Sequence, residues 1–172
     1  MRLESTPIAG LITTFDAEQG KIPIHGVPLS SIREQAQSLN LPMVEVGLPG
    51  YCPNPVYVDR FTKACRLAGV DTVVFGDLFL REVRQFREQS FPLLDLMFPL
   101  WGSDTAVLAQ EMLAGGVAAT ITAVNPEVLP VTLIGCPFDQ RFLQSLPPTI
   151  DPCGENGEFH TLVAPSCLAL LA

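Results

Sequence analysis

The chain has 172 residues, 48 % of them apolar and 16 % charged, with a formal net charge of −8. That length suits one domain with a sizeable core, and the acidic balance without a Lys/Arg cluster excludes a bare nucleic-acid surface, because phosphate recognition needs a basic face. No apolar run approaches the roughly 18 residues of a membrane span, and no basic segment leads into an apolar one, so a soluble, cytoplasmic protein is expected, with neither nucleic acid nor membrane as partner. Cys52, Cys65, Cys136, Cys153 and Cys167 are scattered without a Cys-x-x-Cys pair. This pattern favours reduced, mostly buried thiols over a zinc site or a disulfide framework.

In chain order, the apolar and β-branched run at residues 8–15 predicts a buried strand. Residues 16–26 form a polar loop that turns at Gly20. Ile32, Ala36 and Leu39 recur at helical spacing over residues 30–39, with Ser30 or Ser31 as the cap. A strand follows at 42–48, a Pro- and Gly-rich loop at 49–55, and a helix at 57–68 that Gly69 ends. A strand at 71–75, a helix at 79–89 and a short strand at 96–100 come next. A helix at 104–113 stops at Gly115-Gly116, a strand covers 117–124, and a second short helix covers 137–146. Strands alternating with helices predict an α/β fold with a mainly parallel sheet covered on both faces. Ligands of such sheets sit outside the carboxyl ends of the strands, which sets Thr13-Thr14-Phe15, Gly76-Asp77 and the loop after Val124 along one rim.

Residues 151–161 carry the densest chemistry. Glu155, Asn156, Glu158, His160 and Thr161 place five polar side chains within seven residues, with Gly154 and Gly157 among them. Neither a helical stripe nor a strand alternation fits the run, so it reads either as a polar ligand loop or as a solvated turn. Glu155 and Glu158 beside His160 are of the types that orient an amine, accept its proton and relay it.

This run resembles the end of the diphthine–ammonia ligase family, of the ATP-pyrophosphatase (PP-loop) type. Gly10-Leu11-Ile12-Thr13-Thr14-Phe15, His25-Gly26-Val27-Pro28, Val74-Phe75-Gly76-Asp77-Leu78 with Arg84 and Glu88, Pro99-Leu100-Trp101 with Asp104-Thr105, and Leu133-Ile134-Gly135 with Asp139 resemble further family signatures in order, from about residue 8 to 163. The resemblance implies a doubly wound, mainly parallel sheet of the adenine nucleotide alpha hydrolase-like kind in a single domain over 1–172. Its nucleotide-binding core would span about 8–95 and its substrate side about 96–163. It implies a ligase that activates a carboxylate with ATP and Mg²⁺ as an acyl-adenylate, then lets ammonium-derived ammonia displace AMP, with translation elongation factor 2 as a protein substrate of the family. By resemblance, Glu155, Glu158 and His160 are catalytic, Thr13, Thr14, Phe15, Gly76 and Asp77 bind the nucleotide, and Arg84, Asn156 and Thr161 bind substrate.

The family's Ser-Gly-Gly-Lys-Asp-Ser type loop, which cradles phosphates at a helix N-terminus, does not occur in the chain. Met1-Arg2-Leu3-Glu4-Ser5 stands where the family's first helix ends. The expectation is therefore a fold lacking its first strand and helix, with impaired ligase activity. The alternative is a non-catalytic nucleotide- or protein-binding module of the same descent. Single residues also have plainer readings. Asp77 could cap the following helix, Arg84 could pair with Glu88 four residues on, His25 reads as a solvated loop residue, and Trp101 reads as core.

Overall fold

A computed structural model describes residues 7–168; Met1-Arg2-Leu3-Glu4-Ser5 lies outside the described residues. Six strands and six helices alternate for most of the chain: β1 Leu11–Asp16, α1 Leu29–Ser38, β2 Met43–Leu48, α2 Asn54–Leu67, β3 Thr72–Val74, α3 Arg81–Ser90, β4 Asp95–Met97, α4 Thr105–Ala114, β5 Ala119–Val124, α5 Gln140–Ser145, β6 Phe159–Val163 and α6 Pro165–Leu168. A 3₁₀ turn at Val131–Leu133 lies between β5 and α5. The strands form three two-stranded sheets. β1 with β2 and β3 with β4 are parallel, whereas β5 with β6 is antiparallel. The architecture is thus mixed α/β with small, mostly parallel sheets. Among the described residues no helix is long and apolar enough to cross a membrane.

Most elements lie where the periodicity puts them, and the departures have local causes. The expected strand at 8–15 begins only at Leu11, because Gly10 brings its backbone against Pro42 and leaves Ile8 outside, 55 % exposed. The expected serine cap of α1 is not used. Pro28 occupies the N-cap without a side-chain hydrogen bond, its fixed φ serving as a helix entrance. The strand expected at 96–100 is cut to Asp95–Met97. Pro99 offers no N–H to a ladder, and the chain turns there, Trp101 donating to the Phe98 carbonyl at 3.1 Å. Asp104 and Asp139 cap α4 and α5, accepting from Val107 N at 3.1 Å and from Phe142 N at 2.8 Å. The strand at Phe159–Val163 was hidden in the polar run. Its alternation is only five residues long and follows directly on Gly157 and Glu158.

Two hydrophobic clusters divide the chain near residue 100. Phe61, Cys65, Val73 and Phe91 form the first, with Ile12, Tyr57, Phe75 and Leu96 packed against them. Its rings lock edge to face and offset, Phe61 and Phe91 having centroids 4.9 Å apart, a geometry that adds to simple area burial. Ala109, Ile121, Leu129, Phe138, Phe142 and Phe159 lead the second. All five thiols are free.

β1 and β3 share the first cluster through Ile12 and Val73, yet they are not hydrogen-bonded to one another. Among the described residues each pairs with a single strand, β1 having besides only the bridge of Asp16 to Lys21, so each presents an edge of backbone groups outside a ladder. Val74 on β3 is 43 % exposed. Concentrated protein is expected to self-associate through these edges, and Val74→Lys is expected to lower the associated fraction in light scattering. A monodisperse monomer with either side chain would show that the edges are protected.

Candidate functional site

The loop between α5 and β6 is tied by its own carboxylates. Asp151 and Glu158 are both buried, at 9 % and 6 % exposure. Glu158 Oε1 accepts from the Asp151 N–H and from Asn156 Nδ2, each at 3.0 Å, and its Oε2 accepts from the Asn156 N–H at 3.0 Å. Asp151 Oδ2 accepts from the Glu155 N–H at 2.8 Å. Gly154 and Gly157 make the two bends, with φ of 71° and 81°. At Gly154 a Cβ would also stand 2.7 Å from the Phe159 carbonyl oxygen, so this position requires glycine for both conformation and space.

Burial alone would push the Glu158 carboxyl upward. The hydrogen bonds from the Asn156 side chain and from backbone N–H groups outweigh it and hold the group below the usual carboxylate range. Both Glu158 oxygens and the Asn156 amide, expected to be catalytic and substrate-binding, are engaged in building the loop. Cys153 in the same loop is pushed up to about 11, chiefly by burial and then by Asp151 and Glu155, which favours the protonated thiol at neutral pH.

Glu155 stands apart from this knot. Its Oε1 accepts from the Leu78 N–H at 2.8 Å, while Oε2 takes no partner among the described residues. Leu78 follows Gly76-Asp77 after the carboxyl end of β3. At the other side of the loop, the Asn125 N–H donates to the Glu158 carbonyl at 2.8 Å, just beyond the carboxyl end of β5. The acidic loop is thus anchored at the carboxyl ends of two strands.

Asp77 does not cap the helix after it, which Leu80 begins without a side-chain bond. Instead both its oxygens accept from Arg87, Oδ2 from Nε at 2.6 Å and Oδ1 from Nη2 at 3.0 Å. This fork is the strong form of an Arg–carboxylate pair. The same guanidinium lies over the Phe75 ring at 4.0 Å. Arg84 donates to Glu88 at 2.8 Å, the plainer of its two readings, and rests over Phe98 and Trp101 at 4.6 and 4.7 Å. Trp101 is only half-buried beneath that cation. A Cβ on Gly76 would meet nothing within 4 Å, so this rim is open.

Thr13, Thr14 and Phe15 sit on β1 opposite Glu45, Val46 and Gly47 of β2, whereas the side chain of Asp77 is bonded to Arg87. β1 ends in Asp16, whose Oδ1 accepts from the N–H groups of Glu18 and Gln19. This turn launches an arm, residues 20–28, that returns His25 to the acidic loop. The His25 and His160 rings lie 4.6 Å apart, inclined by 57°. A bulge at Thr122 sets His160 opposite Ala123 and Thr161 opposite Ile121, re-aiming this start of β6. His160 is half-buried, and His25, exposed on its outer side, has its ring shielded where it packs on His160; this partial burial lowers both imidazoles from their ordinary value, and at His25 the neighbouring His160 adds to it. His160 therefore faces His25 and takes no part in the hydrogen bonds of Glu155 or Glu158.

Arg87, Asp151 and Gly154 are the site residues that sequence reasoning missed. Asp151 heads the polar run, and an acid three residues before a glycine bend is a signal for a loop tied by its side chain. The Asp77–Arg87 pair spans a helix turn reversal and leaves no local signal.

No family model matches the chain. Over 63 residues it is 44 % identical to the tryptophan synthase alpha chain of Proteus mirabilis (strain HI4320), a match covering 35 % of this chain and 21 % of that protein. The similarity thus spans about a fifth of that relative's length. Among the described residues no group of three or more His, Cys, Asp or Glu could hold a metal ion.

Two measurements test the loop. Gly154→Ala is expected to destabilise the protein by about 2–4 kcal/mol, summing left-handed strain and the clash with Phe159, read from urea midpoints. Glu158 has a folded pKa below its unfolded one, so its contribution is full above about pH 4.5 and fades as pH falls through the folded value. Glu158→Gln is expected to narrow its stability gap from the parent protein as the pH is taken from 6 to 3; a constant gap would deny Glu158 its hydrogen-bonded, ionised state.

Proposed function

We propose that this chain derives from the diphthine–ammonia ligase type and works on an adenine nucleotide at the rim formed by Asp77, Arg84 and Glu155. The fold proposed with it is a doubly wound sheet of the adenine nucleotide alpha hydrolase-like kind, in which β1–β2 and β3–β4 are the two flanks. The observation that carries the reading is the anchoring of the acidic loop over the carboxyl ends of β3 and β5, where open α/β sheets take their ligands. Glu155 meets the backbone next to Gly76-Asp77, which joins two of the sequence signatures at one point.

The reaction proposed is the joining of a carboxylate and ammonia to an amide, with ATP converted to AMP and pyrophosphate. ATP would supply the activation of the carboxylate, and Mg²⁺ would arrive with its phosphates, since this cation is commonly held by one or two carboxylates plus phosphate oxygens. The residues present fit part of that task. Arg84, on its aromatic shelf, keeps guanidinium N–H groups beyond the Glu88 bond for an anionic oxygen. Glu155 Oε2 is an acceptor for an ammonium or amine proton. Asp77, with both oxygens engaged by Arg87, positions that arginine and does not itself offer a metal ligand.

The same engagement of Asp77 by Arg87 favours the second reading, a binding module that takes the nucleotide without turning it over. The acceptor carboxylate belongs to the same proposal, with translation elongation factor 2 as the protein that the resemblance suggests.

Calorimetric titration with AMP and with ATP–Mg²⁺ is expected to show saturable binding that Glu155→Gln and Arg84→Ala weaken. Folded protein that binds neither nucleotide would sink both readings. With ATP, Mg²⁺ and ammonium, pyrophosphate release is expected far below the roughly 1 s⁻¹ floor of ordinary enzymes. A rate near that floor would show that other groups of this chain do the work of the phosphate loop.

A further inference from the structure

A cleft of about 240 Å³ lies between the arm, α1 and β6. Val27, Ile32, Leu162 and Val163 give it apolar walls, while His25, Thr161 and Gln35 bring polar atoms to its rim. Gln35 is fixed there, its Nε2 donating to the Val163 carbonyl at 2.7 Å. The volume falls below the roughly 300–1,000 Å³ of pockets for drug-sized ligands, so a small molecule fits. The lining selects a hydrocarbon body carrying one polar head.

The head is defined by the histidine pair. His25 closes one side of the cleft, and His160 packs against its ring at 4.6 Å. Two imidazoles this close cannot both take a proton without repulsion unless an anion joins them. The charged residues on the elements around them are Lys21 on the arm, Arg33 and Glu34 on α1, and Asp151, Glu155 and Glu158 on the loop leading into β6. Arg33 is held by Glu45 at 2.7 Å, the three loop carboxylates accept from backbone N–H groups, and among the described residues no carboxylate is paired with either imidazole. β6 contributes only Thr161 beside His160, and Gln35 does not ionise. The pair therefore lacks the counter-charge that a protonated histidine seeks.

We infer that this cleft binds a small aliphatic carboxylate, its hydrocarbon tail against Val27, Ile32 and Leu162 and its carboxylate against His25 at the rim, with His160 packed behind that ring. Binding takes up protons. The anion stabilises the imidazolium form that burial disfavours in the free protein, so affinity rises as the pH falls. The site is distinct from the Asp77–Glu155 rim and does not depend on the nucleotide reading.

His25 and His160 are the only two histidines of the chain, so their ring signals in NMR are readily resolved and assigned. The probe is 4-methylpentanoate, with 4-methylpentanamide as its uncharged counterpart. Saturating the intact protein with the acid is expected to raise the pKa of at least one imidazole by about one unit or more, equal to a tenfold preference for the protonated form. Calorimetry in two buffers of different ionisation enthalpy is expected to show proton uptake at pH 6, with binding about tenfold weaker at pH 8. His25→Gln is expected to reduce the acid to the affinity of the amide. Because that substitution could disturb the arm, Ile32→Trp, which fills the cleft and keeps both histidines, is expected to abolish binding as well. Unshifted histidine titrations in the presence of the acid, or an amide that binds as tightly at both pH values, would overturn the assignment.

Discussion

Glu158 accepts three hydrogen bonds from a loop that has no regular structure of its own, and the position of everything at the rim follows from it. A chain that bends at Gly154 and again at Gly157 strips its N–H groups of ladder partners. Buried donors left in that state cost about 1–3 kcal/mol each. One carboxylate takes Asp151 N, Asn156 N and Asn156 Nδ2, and the neighbouring Asp151 takes Glu155 N. The loop is thereby rigid enough to aim Glu155 outward and to deliver His160 to the start of β6. Acidic side chains that look like reagents in the sequence turn out to divide their labour: two hold the backbone, and one points away from it.

The cations are held by a different rule. Arg84 and Arg87 stand on one helix three residues apart, and each lies over aromatic rings. The rings supply negative faces without adding charge, and Arg87 gains a bidentate carboxylate besides. This combination lets two guanidiniums sit close together in a protein of low charge content. It also fixes the loop carrying Gly76, because Asp77 is clamped by a residue from the following helix.

Much of this architecture could be read from residue order, and the reasons it could or could not are local. Helices with clear spacing and glycine stops, such as Asn54–Leu67 before Gly69, came within a turn of their observed ends. The strand expected at 71–75 likewise falls within one residue of Thr72–Val74 at each end, whereas Phe159–Val163 was not legible, because its strand signal is five residues beside two glycine bends. Thr161 was legible as a polar residue of interest, but its place beside the cleft depends on the Thr122 bulge, which no periodicity announces. The pairing of His25 with His160 joins residues 135 positions apart in the chain. Only the folded arm brings them together.

The bond from Leu78 N–H to Glu155 has a bearing on how the molecule breathes. Leu78 lies between β3 and α3, on the side of the chain whose core holds Phe61 and Phe91, and Glu155 lies before β6, on the side whose core holds Ile121 and Phe159. The bond is one of several links between the two sides, with Gln35 on the Val163 carbonyl and His25 against His160 as others, so a local opening at the rim parts it while those hold. A ligand seated at Glu155 would act on this link rather than on either core, slowing exchange at the Leu78 amide before it slows exchange anywhere deeper.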